Sequence, residues 1–320
     1  MFLYSKACEL LKSIYLNILK MNKALKEPPL VSVVIPCYNH ARYVKECIKG
    51  IIDQDYKNIE LIVIDDGSKD ASVQVIEEMR DVCEARFIRF EFLNRENRGL
   101  CNTLNQALEW CEGEYYCAVA SDDIFLPFKI EKQVSYLEAN PETVAVFGGI
   151  ILIDEHGSIL RKIEKPGSFG FRDIFLNRYF LPAPTALIRR IELKAIGYDP
   201  SVKIEDWNLW LKLSKRNMTQ LVTLKESVTL YRQHQDNMSG NAEMMYEEGM
   251  KILAQFSDDI DYEQAVAEYD LVMSATLAFR DKKKSIRYFL AYLRAHKYSS
   301  RAFPVLIKIL IPNVFSKFRF

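Results

Sequence analysis

Glycine is scarce in this sequence, with 12 among 320 residues, and none follows the first predicted strand closely enough to form a phosphate-cradling turn. There is neither a Gly-x-Gly-x-x-Gly turn nor a Gly-Lys-Ser/Thr loop, which excludes dinucleotide oxidoreductases and P-loop NTPases. Cysteine motifs are missing too. The seven cysteines (Cys8, Cys37, Cys47, Cys83, Cys101, Cys111, Cys117) are odd in number and contain no Cys-x-x-Cys pair, which argues against a zinc ribbon or a secreted disulfide framework and for a reducing compartment. No apolar run approaches the ~20 residues that a membrane span needs. The apolar start of the chain is interrupted by Lys6, Glu9 and Lys12 and lacks a small-residue cleavage site, unlike a signal peptide. The expectation is a cytoplasmic protein that, where it meets membrane, lies on the inner face of the cytoplasmic membrane.

Acidic residues are absent from 282 to 320, a stretch that holds ten Lys and Arg. The whole chain balances 43 basic against 43 acidic side chains, so the part before it must be acidic. An acidic body argues against nucleic acid as a partner, and a basic end suits an anionic surface. What the chain does have is an apolar content of 49% with 12% aromatics, enough for a sizeable core.

Along the chain, Leu3, Ala7, Leu10, Leu11, Ile14 and Ile18 fall on one helical face, which predicts an amphipathic helix over 1–27 that Pro28 and Pro29 stop. From 28 to 148, short β-branched runs near 31–36, 59–64, 87–92, 115–120 and 144–147 alternate with helical stretches. That alternation predicts βαβ crossovers and a doubly wound α/β fold. From 149 to 240 the rhythm loosens into α+β, with a helix near 205–215 and a strand near 221–231, which reads as a continuation of the same sheet. From 241 to 320 the chain reads as helical.

In open α/β sheets, ligands bind beyond the carboxyl ends of the strands. Three polar sequences fall there: Pro36-Cys37-Tyr38-Asn39, Asp65-Asp66-Gly67-Ser68 and Ser121-Asp122-Asp123. Each alone reads as a turn or a helix cap. Together they put four carboxylates on one rim, which calls for a divalent cation such as Mg²⁺ or Mn²⁺ and a nucleotide. Glu205-Asp206-Trp207 opens a helix rich in apolar residues. One acid there serves as a cap, and a carboxylate held against tryptophan is also a good setting for a general base. His234 is one of four histidines, and by itself reads as structural.

The ordered set 31–39, 62–68, Asn97-Arg98-Gly99-Leu100, Ser121-Asp122-Asp123, Glu205-Asp206-Trp207 and Tyr231-Arg232-x-His234-x-x-Asn237-x-Ser239 resembles the signature of family 2 glycosyltransferases over roughly residues 29 to 240. The resemblance implies a GT-A fold, a Rossmann-like mixed sheet, and an inverting transferase acting on a nucleotide-sugar donor. It implies Pro36, Tyr38, Asn39, Asp66 and Asp122 at the donor nucleotide, with Asp66 on the base. It further implies Asp123 and His234 at a Mn²⁺ or Mg²⁺ ion, Asp206 as the catalytic base, and Glu205 and Trp207 as acceptor-orienting. One departure is that many members carry an acid where this sequence has Ala120 or Ser121. The basic, aromatic and aliphatic end, interpreted with the family, suggests an anionic membrane surface and a lipid-linked oligosaccharide acceptor in surface polysaccharide assembly, with UDP-hexose as donor. A helical tail packed on the domain is the alternative for that end. A silent nucleotide-sugar-binding or scaffold relative is the alternative for the whole.

Overall fold

The structure, a computed structural model, describes residues 27–234, 240–295 and 300–311. The amphipathic helix expected over 1–27 lies outside the described residues apart from Glu27, as do Asn237 and Ser239 of the last motif.

The first half follows the alternation. Strand β1 (Val31–Cys37) leads through α1 (Val44–Ile52) to β2 (Ile59–Asp65). Two short helices, α2 (Ser72–Glu77) and α3 (Arg80–Arg86), take the place of the single helix expected, and β3 (Arg89–Asn94) follows. Then come α4 (Leu100–Trp110), β4 (Tyr115–Ala118), the two-residue β5 (Ile124–Phe125) and α5 (Lys129–Ala139). β1 is apolar on both faces because both are covered. Val31, Val33 and Ile35 join a core with Cys47 and Ile48 of α1, and Val34 joins the opposite core with Leu104 and Leu108 of α4.

The second half inserts itself into the same sheet. It comprises β6 (Ala145–Ile153), β7 (Ile159–Ile163), β8 (Gly167–Phe169), α6 (Phe171–Phe175), β9 (Leu187–Arg189), α7 (Arg190–Lys194), α8 (Glu205–Asn217) and β10 (Leu221–Arg232). The strand order is β3-β2-β1-β4-β9-β6-β10-β5, with β7 paired to β6 and β8 to β10. β3, β2, β1 and β4 are parallel, β9 runs antiparallel between β4 and β6, and β6 and β10 are parallel. The sheet is therefore mixed, as expected.

Two features of this order build the site. The chain winds from β1 outward to β3 and then returns to place β4 on the other side of β1, which makes a switch-point crevice at the carboxyl ends of β1 and β4. β5 pairs antiparallel with the end of β10, and this carries Asp123 to Arg232.

After residue 240, α9 (Ala242–Ala254) and α10 (Tyr262–Leu277) share the sheet's core, with Ile252, Leu253, Tyr269 and Met273 in one cluster with Trp207 and Trp210. The basic segment supplies α11 (Lys282–Ala295) and α12 (Ala302–Leu310), and Phe289, Tyr292, Val305 and Ile309 form a small separate cluster against Leu271 of α10. Its described part thus packs on the body, and two of its charges are paired there: Arg301 Nη1 with Glu268, and Lys284 with Glu243.

Candidate active site

A cleft of about 990 Å³ lies at the switch point, lined by residues after β1, β2, β4 and β10, the start of α8, and Met244, Met245 and Tyr269 of the C-terminal helices. Each wall is set by backbone geometry.

On the β1 and β2 side the two loops are laced together. Asn39 takes a left-handed conformation, φ 55°, which Asn tolerates better than most residues. Its N–H donates to Ser68 Oγ at 2.8 Å and its Oδ1 accepts from Lys69 N at 2.7 Å, so its side chain holds the loops together. Tyr38, 47% exposed, stands on the rim. Asp65 accepts from Ser68 N and Oγ, and Gly67, at φ 80°, has no room for a side chain because a Cβ would lie 2.8 Å from Asn97 N.

Asp66 is buried. Its Oδ1 accepts from Arg98 N at 2.9 Å, its Oδ2 from Gly99 N at 2.8 Å, and Arg95 Nη1 stands 2.5 Å from Oδ1. The carboxylate thereby organises the 95–99 loop, and a second lone pair on Oδ2 remains for a donor in the cleft.

On the β4 side, Asp122 Oδ2 and His234 Nε2 are 2.8 Å apart. Asp123, expected at the metal, is 1% exposed, and its Oδ1 accepts from Arg232 N at 2.8 Å. The β5–β10 pairing turns it toward β10, while Asp122, expected on the nucleotide side, is the carboxylate that meets the histidine. Both still line the cleft. Burial and the charge of Asp122 push the Asp123 carboxyl well above the usual range, an arrangement that a cation would relieve. Arg232 fixes this corner by donating from Nε to Asp122 O at 2.9 Å and from Nη2 to Glu46 at 2.7 Å, with its guanidinium over the Tyr43 ring.

Sequence reasoning passed over His40. Its Nδ1 lies 2.7 Å from Ser121 Oγ, and among the described residues His40, Asp122 and His234 bring donor atoms within 4.8 Å of one another. The signal was its place directly after Asn39 on the same rim. Arg95, set back from the motifs, gave none.

Opposite stand Glu205 and Asp206 in the first turn of α8, where the helix dipole favours negative charge. Asp206 Oδ1 accepts from Trp207 N at 2.7 Å. Burial raises Asp206, and burial together with the charge of Asp206 raises Glu205, so Glu205 holds its proton more readily than Asp206. Trp207 is held in the cleft wall: its indole donates to Ile174 O and stacks on Tyr269 at 5.2 Å.

The raised Glu205 gives a pH prediction. Burial and the charge of Asp206 push it up to about 8, so its contribution to stability is full at low pH and is lost as pH rises through that value. Glu205→Gln should flatten the fall in melting temperature between about pH 5 and about pH 9. A fall as steep in the variant as in the wild type would assign the slope elsewhere.

A family model described as Glycosyl transferase family 2 matches residues 32–197, about half of the chain. A glycosyltransferase of Rickettsia felis is 35% identical over 196 residues, 58% of this chain and 31% of that protein. One of Haemophilus influenzae is 31% identical over 224 residues, 66% and 68% of the two chains. The chain thus spans about a third of the first relative's length and about two thirds of the second's. Among solved structures, S. aureus TarS 1–349 in complex with UDP-GlcNAc superposes with a TM-score of 0.61 at 18% identity, covering 88% of each chain. The mannosyltransferase PcManGT of Pyrobaculum calidifontis, in complex with GDP-Man and Mn2+, gives 0.58 at 16% identity, covering 91% and 89%. At these identities the likeness is one of fold, and it is the GT-A arrangement expected from the sequence.

Proposed function

The chain belongs to glycosyl transferase family 2, and from that premise we propose that it moves a hexose, with inversion, from a nucleoside diphosphate donor, UDP-hexose first, to a hydroxyl of a lipid-linked oligosaccharide in surface polysaccharide assembly. The observation that carries this reading is that Asp66 and the Asp122–Asp123 pair on one wall and Asp206 on the other face a single cleft. The donors bound in the TarS and PcManGT structures support a nucleotide-linked sugar.

In this reading Tyr38 offers a face to the base, Pro36 shapes the floor, and Asp66 accepts from the base. Asp122 and His234 would hold Mn²⁺ or Mg²⁺, with Asp123 buried behind them against Arg232. When bound, the ion neutralises charge on the departing diphosphate. Asp206 accepts the proton of the acceptor hydroxyl as that oxygen forms its bond to the anomeric carbon and the diphosphate bond breaks on the opposite face. One displacement gives inversion, and Glu205, which keeps its proton, orients the acceptor. Release of a nucleoside diphosphate from a panel of UDP- and GDP-sugars, with Mn²⁺ and membrane extract as acceptor source, tests this. Turnover with one donor supports it, and none with any donor overturns it.

Peripheral attachment to an anionic membrane belongs to the same proposal. No helix among the described residues is long and apolar enough to cross a membrane. α12, however, is apolar on two faces: Ala302, Val305 and Ile309 are buried, while Phe303, Leu306, Ile307 and Leu310 are exposed at helical spacing beside Lys308. An outward apolar stripe with basic neighbours suits a lipid interface. Replacing Phe303 and Leu310 by Ser should reduce co-sedimentation with phosphatidylglycerol vesicles several-fold. Unchanged sedimentation would leave the stripe without this role.

A further inference from the structure

Three loops meet at one point of the cleft. His40 follows β1, Ser121 and Asp122 follow β4, and His234 follows β10. The two imidazoles lie edge to face with centroids 5.8 Å apart, and donor atoms of His40, Asp122 and His234 all fall within 4.8 Å of one another. Atoms sharing one ion at bonds of ~2.1 Å sit roughly 3 to 4 Å apart, so small side-chain movements would let all three reach it.

His40 is placed by its surroundings. Its backbone N–H donates to Ser72 Oγ at 2.9 Å, its Nδ1 meets Ser121 Oγ at 2.7 Å, and its ring stands against Tyr43. Orientation of an imidazole through one nitrogen is how metal-binding histidines are commonly prepared. A histidine with a purely structural role needs only such a partner. Here three separate elements deliver an imidazole, a carboxylate and a second imidazole to the same place. Ser121, moreover, stands where an acid was expected, and its hydroxyl instead holds His40.

We propose that His40 is a third protein donor to the cation of this site, and that two imidazoles with one carboxylate make the site select Mn²⁺ and Co²⁺ over Mg²⁺. The inference rests on the cation-assisted reading of the cleft and adds to it the residue that sets metal preference. Nitrogen donors favour transition metals, whereas all-oxygen sets suit Mg²⁺.

The test is metal binding. Co²⁺ is titrated by its visible absorption and Mn²⁺ by loss of the free-ion paramagnetic resonance signal, each with and without UDP and with Mg²⁺ as competitor. The wild type should bind Mn²⁺ and Co²⁺ well ahead of Mg²⁺. His40→Ala should weaken Mn²⁺ and Co²⁺ by roughly tenfold or more, change the Co²⁺ spectrum and narrow the gap to Mg²⁺. Ser121→Ala, which keeps the imidazole and removes its anchor, should shift affinity the same way by less, and it carries the test if His40→Ala does not fold. A His40→Ala protein with wild-type Co²⁺ affinity and spectrum overturns the inference while leaving metal-dependent UDP binding intact. A wild type that binds neither ion, with or without UDP, overturns the cation reading and the inference together.

Discussion

Asp206→Asn is expected to lower transfer by roughly 10²- to 10⁴-fold, the usual contribution of a positioned general base, while the affinity for the nucleotide stays unchanged. Asparagine matches aspartate in shape, and its carbonyl oxygen can still accept from Trp207 N, so the first turn of α8 should keep its form. What is lost is the ability to take a proton from the acceptor hydroxyl. The position suits that task because burial raises the Asp206 carboxyl, which strengthens it as a base. Glu205 stands beside it but is itself raised by burial and by the charge of Asp206, so it is the member of the pair that keeps the proton. Glu205→Gln, which keeps that position neutral, should accordingly leave the acid limb of the rate profile where it is in the wild type. Initial rates and nucleotide affinity measured on the same preparations separate the two effects. Equal transfer by Asp206→Asn would remove it from the base role.

Asp66→Asn is expected to cost both stability and donor binding. The carboxylate receives two backbone N–H groups and the Arg95 guanidinium, and the Asp66 and Arg95 side chains are 7% and 8% exposed. Breaking a buried pair from one side leaves an uncompensated charge, at about 3–5 kcal/mol. Asparagine also turns an N–H toward groups that themselves donate. The 95–99 loop should loosen, and with it the wall proposed to meet the base. Thermal melts and nucleotide titration check both parts. A variant with a wild-type melt and wild-type nucleotide affinity would contradict the assignment.

The legible part of the fold is the part built from local pattern. β1, β2 and β4 are buried on both faces and β1 to β4 are separated by helices, so periodicity and order sufficed. The second half was harder for physical reasons. β9 has three residues and gains its place only by pairing with β4 and β6, which lie far away in sequence. β7 is an edge strand with Ile159 and Leu160 exposed, and so carries no inward pattern. The basic segment read as a single tail because its charge is uniform, yet its inner faces pack on α10.

The site divides in a similar way. That Asp66, Asp122 and Asp206 line one cleft was legible because strand ends and a helix start mark them. The exchange of neighbours between Asp122 and Asp123 was not, since it depends on β5 pairing with β10. His40 and Arg95 owe their places, against Ser121 and Asp66, to loops that come together only in three dimensions.

The central claim is that this cleft binds a nucleoside diphosphate with the help of a divalent cation. The most direct measurement is thermal stabilisation of the protein by UDP, GDP and their sugars, each with Mn²⁺ and with chelator. A ligand at a hundredfold excess over its dissociation constant adds about 2.7 kcal/mol, a rise on the order of 5 °C for a chain of this size. The account predicts such a rise for one nucleotide with Mn²⁺, its loss with chelator and its loss in Asp66→Asn. No rise with any nucleotide, with or without metal, would contradict it.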